Sequence, residues 1–337
     1  MRTALVTGSS GFIGFSITRR LLDDGFQVIG LDCMSDYYSV SLKERRQSIL
    51  LNYPNFRTIT EKVETPGILL DIFKTERPEL IIHLAAQAGV RYSIENPRTY
   101  LEANICGTFE LLEAARTYPP KHLLLASSSS VYGANMTMPY RETDKADHQI
   151  SFYAATKKAT ENMAHSYAHL FNIPTTIFRF FTVYGPWGRP DMAIYKFTKA
   201  ILEGTPIDVY NHGNMKRDFT FVNDLVQGVR LLVDTVPQFE TDIEAIDGDT
   251  LSPVAPYRVV NIGNSKAVQL TEFINAIENA TGKTAVCNLM SMQSGDVSNT
   301  WSDASLLKAL TDYTPKTDIQ DGVNAFVGWY KSYYLEK

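Results

Sequence analysis

Along the first half of the chain, short apolar runs alternate with longer segments whose apolar positions recur every three and four residues. Thr3 to Val6, Val28 to Leu31, Leu80 to Leu84, Leu123 to Ala126 and Thr175 to Phe178 read as strands buried on both faces. Between them, Ile17 to Leu22, Tyr100 to Ala115 and Tyr153 to Phe171 carry the helical repeat, the last two most clearly. Strand–helix alternation of this kind predicts an α/β fold with a doubly wound parallel sheet. After Phe181 the texture changes. Gly185-Pro186-Trp187-Gly188-Arg189-Pro190 is a stiff, turn-rich connection into a smaller and more irregular mixed α/β half. We place the sheet domain at residues 1–181 and a substrate-binding domain at 182–337, with a segment near 219–263 expected to return to the first.

Composition narrows the function classes. At 337 residues the chain is long enough to bury a large core. A net charge of −5 and a pI near 5.7 provide no basic stripe for nucleic acid or an anionic membrane surface. Cys33, Cys106 and Cys287 are scattered, with no spacing for a zinc site or a disulfide framework, so no metal is expected and a reducing cytoplasm fits best. The apolar run Ala4-Leu5-Val6 stops at Gly8, too short for a signal segment, and no later stretch has membrane-spanning length. The stretch Pro237 to Pro256 holds Asp242, Glu244, Asp247, Gly248 and Asp249, but lacks the ligand spacing of a calcium loop and reads as a solvated surface loop.

Two constellations carry chemistry. Directly after the first strand, Gly8-Ser9-Ser10-Gly11-Phe12-Ile13-Gly14 opens a helix. Glycines there allow a tight turn and bring backbone N–H groups close to a pyrophosphate at the helix start, as in a Rossmann-type dinucleotide site. The second strand ends at Asp32, where a carboxylate accepts hydrogen bonds from ribose hydroxyls and repels a 2′-phosphate, favouring NAD over NADP. Further on, Tyr153 and Lys157 stand one helical turn apart. A phenol is a poor base near neutral pH, and we expect the Lys157 ammonium and a cationic nicotinamide ring to lower its pKa. A shift of about three units would be worth roughly 4 kcal/mol. The spacing alone is common on helices. It gains meaning from Ser127-Ser128-Ser129-Ser130-Val131-Tyr132-Gly133, which puts hydroxyls at the C-terminal end of a parallel strand.

The glycine motif, His83-Leu84-Ala85-Ala86, the serine run before Val131-Tyr132-Gly133 and the Tyr153/Lys157 pair, in this order, resemble the extended short-chain dehydrogenases/reductases over essentially the whole chain. Gln87-Ala88-Gly89-Val90-Arg91-Tyr92-Ser93, the stretch Phe180 to Ala193, and Ser252-Pro253-Val254-Ala255-Pro256 resemble the UDP-glucuronate 4-epimerases more narrowly. The resemblance implies Tyr153, Lys157 and Ser128 as catalytic residues. It implies an NAD site, with the cofactor recycled in place, built from Gly8, Gly11, Phe12, Ile13, Gly14, Asp32, Leu84, Ala85, Ala86, Gln87, Asn104, Ser127, Tyr153, Lys157 and Phe181. For the nucleotide sugar it implies Val90, Arg91, Ser128, Ser129, Ser130, Thr182, Arg189, Arg217 and Asp296. Of these, Arg217 would hold the diphosphate and Asp296 the uridine ribose, since an Arg fork suits phosphate and a carboxylate suits a diol. A homodimer packed through the Tyr100 and Tyr153 helices is also implied. One departure stands out: relatives place an acid after the third strand for the adenine, where this chain has Lys62-Val63 between Glu61 and Glu64.

What is missing selects among relatives. Members that dehydrate or decarboxylate a 4-keto sugar carry an acid before the Val-Tyr-Gly tripeptide, whereas this chain has Ser128-Ser129-Ser130. That leaves reversible oxidation at C4, and the resemblance implies a UDP-uronic acid as its substrate, with UDP-glucuronate and UDP-galacturonate interconverted. The alternatives are UDP-glucose 4-epimerase, in which an Asn stands at the Thr182 position, UDP-glucuronate decarboxylase, and a non-catalytic NAD-binding scaffold. A scaffold has no need of a complete proton-transfer set. We further expect Ser129, Thr182 and Arg189 to hold the sugar carboxylate near the ketone plane, since a 4-keto uronate is a β-keto acid that loses carbon dioxide when that bond stands perpendicular to the ketone.

Overall fold

The computed structural model describes residues 1–238, 246–293 and 297–336. From the N-terminus come β1 (Thr3–Thr7), α1 (Phe12–Asp23), β2 (Gln27–Leu31), α2 (Val40–Leu50), β3 (Phe56–Ile59), α3 (Ile68–Glu76) and β4 (Leu80–His83). Two short helices, α4 (Tyr92–Glu95) and α5 (Pro97–Tyr100), lead through a π-helical turn at Leu101–Cys106 into α6 (Gly107–Thr117), β5 (His122–Ser128), α7 (Phe152–Phe171) and β6 (Thr175–Phe180). Next are β7 (Thr182–Tyr184), α8 (Ala193–Glu203), β8 (Ile207–Val209), β9 (Lys216–Phe221), α9 (Val222–Leu232) and β10 (Tyr257–Ile262). The chain closes with β11 (Ala267–Gln269), α10 (Leu270–Thr281), β12 (Cys287–Leu289), β13 (Asn299–Thr300), α11 (Ser305–Thr311) and α12 (Ile319–Tyr334).

Seven strands form one sheet in the order β3-β2-β1-β4-β5-β6-β10, with every neighbouring pair parallel. Helices cover both faces. On one side Phe15, Leu21, Val229 and Leu232 of α1 and α9 pack against the strands, and on the other Phe73, Leu111, Leu112 and Ala164 of α3, α6 and α7 do so. Burial on both faces is why the central strands β1, β4 and β5 read as largely apolar runs rather than alternating ones, while the edge strand β3, with exposed Arg57, does not. The strand order reverses between β1 and β4, which opens a crevice at the C-terminal strand ends. Beyond β6 the chain leaves this sheet for β7 to β9 and rejoins it at β10.

A third core lies outside the sheet, where Ile194, Phe197, Phe219, Phe273, Phe326 and Val327 bring α8, α10 and α12 against β9. β9 pairs with β7, β11 and β13, and β8 pairs with β12. One expected element differs. The segment Tyr100 to Ala115 is not a single α-helix: α5 ends at Tyr100, the π turn follows, and α6 starts at Gly107. Inside that turn Asn104 is buried, and its amide accepts from Gln87 N at 2.8 Å and donates to Thr156 Oγ1 at 3.0 Å. A polar side chain on an inward face needs such partners, and the wider turn accompanies them.

Candidate active site

The crevice at β1 and β4 holds a cavity of about 510 Å³. β1 runs into Gly8, whose φ of +71° glycine adopts without strain. A Cβ on Gly14 would lie 1.9 Å from Gly8 O, so α1 approaches the turn this closely only because position 14 has no side chain. No side chain caps α1, which leaves its first N–H groups and the positive end of its dipole beside the cavity wall formed by Gly11, Phe12 and Ile13. Asp32, just past β2, is buried in the same wall, and its carboxylate accepts from Ser10 N and Met34 N at 2.9 Å each. The N–H donors fit the pyrophosphate of NAD, and the acceptor carboxylate of Asp32 fits its adenosine ribose hydroxyls. Opposite stand Leu84, Ala85, Ala86 and Gln87. The Thr7 hydroxyl accepts from Leu84 N and Ala85 N at 3.1 Å each and meets His83 Nδ1 at 2.8 Å. Burial, helped by the Lys157 charge, drives His83 down to about 3, so its imidazole is neutral.

At the other end of the cavity β5 delivers Ser127 and Ser128, and α7 delivers Tyr153 and Lys157. α7 starts where it does because the Ser151 hydroxyl accepts from Ala154 N at 3.1 Å. That cap sets Tyr153 in the first helical turn and Lys157 one turn on. Lys157 Nζ donates to Ala126 O at 2.8 Å, and burial lowers its pKa to about 8 although Glu161 opposes the shift. Glu161 is buried a further turn along. It accepts from Arg179 Nε and Nη2 at 2.9 and 2.8 Å and from the Ser127 hydroxyl at 2.6 Å, tying α7 to β5 and β6. Tyr153 corrects an expectation: burial pushes its phenol up rather than down, with the Ser128 hydroxyl first and Arg189 second pulling it back. Lys157 is not among the groups that pull the phenol down.

Comparison with known proteins accords with this geometry. A model of the NAD dependent epimerase/dehydratase family matches residues 4–245. The chain belongs to that family. It is 50% identical over 331 residues to a probable UDP-glucuronate 4-epimerase of Rhizobium meliloti (strain 1021), covering 98% of this chain and 97% of the relative. To protein CapI of Staphylococcus aureus it is 52% identical, covering 98% of each chain. Its fold is similar to that of UDP-glucuronic acid 4-epimerase from Bacillus cereus, solved with UDP-glucuronic acid and NAD. The TM-score is 0.88 at 30% identity, over 98% of this chain and all of that one.

Within this epimerase/dehydratase, the cavity gathers Gly8, Gly11, Phe12, Ile13, Gly14, Asp32, Leu84 to Gln87, Ser127, Ser128, Tyr153, Lys157, Phe181 and Arg189. Glu61 to Glu64 also line it. Asn104 does not, since its amide is used to fix the Gln87 backbone from behind the wall. Ser129 and Ser130 form the short helical turn after β5, and Thr182 opens β7. None of the three lines the cavity, although Ser129 and Thr182 adjoin lining residues in the chain. Val90 and Arg91 precede α4, and the Arg91 guanidinium lies 4.9 Å from the Tyr210 ring centre. Arg217, on β9, donates to Ser298 O at 2.9 Å and Val297 O at 2.6 Å, apart from the cavity. Asp296 lies outside the described residues, as do Asp242 and Glu244, while Asp249 is paired with Arg258 at 2.8 Å.

The sequence reading missed Tyr37, Tyr38, Lys43 and Met192, which also line the cavity, and Asp191. Arg189 does not reach into the cavity unpartnered. Its Nε and Nη2 meet the Asp191 carboxylate at 2.9 and 2.5 Å, and Tyr37, pushed up to about 12 by burial and by Asp191, donates to that carboxylate at 3.3 Å. A signal was available. The buried face of α2 comprises Leu42, Lys43, Arg46 and Leu50, and cations on a buried helix face ask for partners.

Proposed function

We propose that this protein is an NAD-dependent UDP-glucuronate 4-epimerase, an isomerase interconverting UDP-glucuronate and UDP-galacturonate. The carrying observation is a complete proton-transfer set, Ser128, Tyr153 and Lys157, in one cavity with a dinucleotide-binding loop. No carboxylic acid stands before Val131-Tyr132-Gly133, and relatives of that name match at 40% to 50% identity over nearly the whole chain. Bound NAD supplies a hydride acceptor and donor at sugar C4 and ends each cycle unchanged. Gly8, Gly11, Phe12, Ile13 and Gly14 hold its pyrophosphate and Asp32 its ribose, with Leu84 to Gln87, Ser127 and Phe181 along its length and Asn104 acting from behind.

The Tyr153 oxygen takes the proton from the C4 hydroxyl and later returns it, and Ser128 orients that hydroxyl by hydrogen bonding. Lys157 fixes the wall at Ala126 and supplies positive charge close to the reacting groups. The 4-keto sugar turns over in the site before Tyr153 returns the proton. Ser129, Thr182 and Arg189 restrain the uronate carboxylate near the ketone plane, so epimerisation outruns loss of carbon dioxide. Val90, Arg91 and Ser130 complete the substrate site, with Arg217 serving the diphosphate and Asp296 the uridine ribose.

In this reading residues 1–181, with the 219–263 segment, form the NAD domain and the rest of 182–337 the nucleotide-sugar domain. The protein acts in the cytoplasm as a homodimer. Support for the dimer comes from Leu101, Phe109, Phe152, Leu170 and Phe171, large apolar side chains left exposed along the Leu101–Cys106 turn, α6 and α7. Among the described residues no helix is long and apolar enough to cross a membrane. Separate incubation with UDP-glucuronate, UDP-glucose and UDP-xylose, followed by product chromatography, tests the assignment. Conversion of UDP-glucuronate to its C4 epimer in clear preference to the other two is expected, and turnover of UDP-glucose alone would replace it with a neutral-sugar epimerase.

A further inference from the structure

Arg46 on α2 is fully buried. Its partners are all neutral oxygens: Nη1 donates to Ser10 O at 3.0 Å and to the Tyr38 hydroxyl at 2.8 Å, and Nη2 donates to Trp187 O at 2.5 Å. Its Nε is buried without a partner, and no described carboxylate pairs with it. Burying a guanidinium without a counter-charge is costly, and a side chain of no more than packing value would avoid it.

What Arg46 joins gives it a use. Ser10 belongs to the glycine loop, where its N–H also donates to Asp32. Trp187 sits in the turn Gly185 to Pro190 at φ +64°, in the left-handed region that a bulky residue avoids unless held there. The Trp187 ring is gripped by Phe15 of α1 at 5.6 Å and by Trp329 and Tyr333 of α12 at 5.4 and 5.3 Å. Side-chain stacking locates the indole, and Gly188 N donates to Gly185 O at 3.0 Å to close the turn from within, while the hydrogen bond from Arg46 ties the carbonyl of that same peptide to α2 and the glycine loop from outside and so helps to set the direction in which the chain leaves Trp187. Two residues later it delivers Arg189.

We propose that Arg46 is a specificity-determining positioning residue. By clasping the glycine loop and the Trp187 carbonyl together, it sets where Arg189 meets the substrate carboxylate, and thereby whether the 4-keto uronate is epimerised or decarboxylated. The proposal rests on the reading of Arg189 as a carboxylate restraint given above. It makes the geometry of the substrate turn depend on the loop that holds the cofactor, so the restraint is complete when that loop is ordered.

The test uses the NAD-loaded full chain and four variants: Arg46→Met, Arg46→Lys, Arg189→Ala and the double variant Arg46→Met/Arg189→Ala. For each, the carbon dioxide released per epimer formed, kcat, KM for UDP-glucuronate and bound NAD are measured. Removing a cation that has no counter-charge leaves no unpaired charge behind, so Arg46→Met is expected to fold. It should retain NAD, lose kcat roughly 10- to 100-fold as a misplaced contact does, and raise the ratio of carbon dioxide to epimer in the same direction as Arg189→Ala. Arg46→Lys, which keeps the charge and one donor, should fall between parent and Met. The double variant should give the Arg189→Ala ratio and no higher, because Arg46 acts through Arg189. If Arg189→Ala raises the ratio while Arg46→Met and Arg46→Lys stay at the parent value, or if Arg46→Met still raises it once Arg189 is gone, the inference is overturned. Should Arg46→Met not fold, Arg46→Lys decides alone. A parent ratio in Arg189→Ala itself would instead overturn the carboxylate reading beneath it.

Discussion

Tyr153 and Lys157 share one face of α7, and burial moves them in opposite directions: the phenol up and the amine down to about 8. Tyr153→Phe removes the proton acceptor while leaving the glycine loop intact. Its turnover should fall roughly 10²- to 10⁴-fold with NAD still bound, and near-parent turnover would remove Tyr153 from the mechanism. Lys157 leads to a pH-dependent prediction. The unfolded chain keeps its proton up to about 10.5 and the folded protein only up to about 8, so between those values unfolding takes up a proton. The parent's stability relative to Lys157→Met should therefore be constant below pH 8 and rise by about 3 kcal/mol on the way to pH 10.5. Denaturant melts of both proteins at pH 7, 9 and 10 check this, and parallel curves would show that the amine is not desolvated. The identity of these two residues was legible from their spacing and the serines upstream. The direction of the Tyr153 shift was not, because it depends on how deeply the phenol is buried between elements, which no local pattern records.

Five strands of the large sheet, β1, β2, β4, β5 and β6, were readable because helices bury both of their faces and leave largely apolar runs, whereas β3, with Arg57 and Thr58, and β10, with Arg258 and Asn261, are interrupted by polar residues and went unread. β1 was placed to within a residue, and β2, β5 and β6 to within two. The short strands β7, β8 and β11 to β13 hold two or three residues each and leave no periodicity to detect. The break between α5 and α6 was hidden for another reason: the apolar repeat continues through it, and only the demands of the Asn104 amide distinguish it. The glycine motif was legible as chemistry, and the structure adds a steric reason for it. Gly14→Ala would press a methyl group into the Gly8 carbonyl, separating α1 from the turn. Purified Gly14→Ala should carry little or no NAD by absorbance while keeping its far-ultraviolet spectrum, and full NAD content would show that the loop tolerates a larger gap than this packing allows.

At the scale of the molecule, the return of the chain to the sheet at β10 places α9 on α1 and puts the β9 strand of the outer core in direct continuity with α9. The cavity thus lies where both halves of the chain contribute, with Tyr153 and Asp32 from the sheet side and Arg189 and Met192 from the segment after β7. Outside it, Leu170 on α7 is 64% exposed and Phe109 on α6 45%, a waste of apolar surface in a monomer but suited to a two-fold interface that repeats itself across the axis. For the proposed homodimer, the double variant Phe109→Glu/Leu170→Glu should sediment at half the parent mass while keeping NAD, and a parent that itself sediments as a monomer, or a variant of unchanged mass, would contradict a dimer through this face. The central claim concerns what happens at C4. The most direct measurement is incubation of the purified protein, without added cofactor, with UDP-glucuronate carrying deuterium at C4, followed by proton and carbon NMR of the products. The account predicts a mixture of UDP-glucuronate and UDP-galacturonate with deuterium retained at C4 in both. Absence of the epimer, a decarboxylated pentose as the main product, or an epimer with hydrogen in place of deuterium would contradict it.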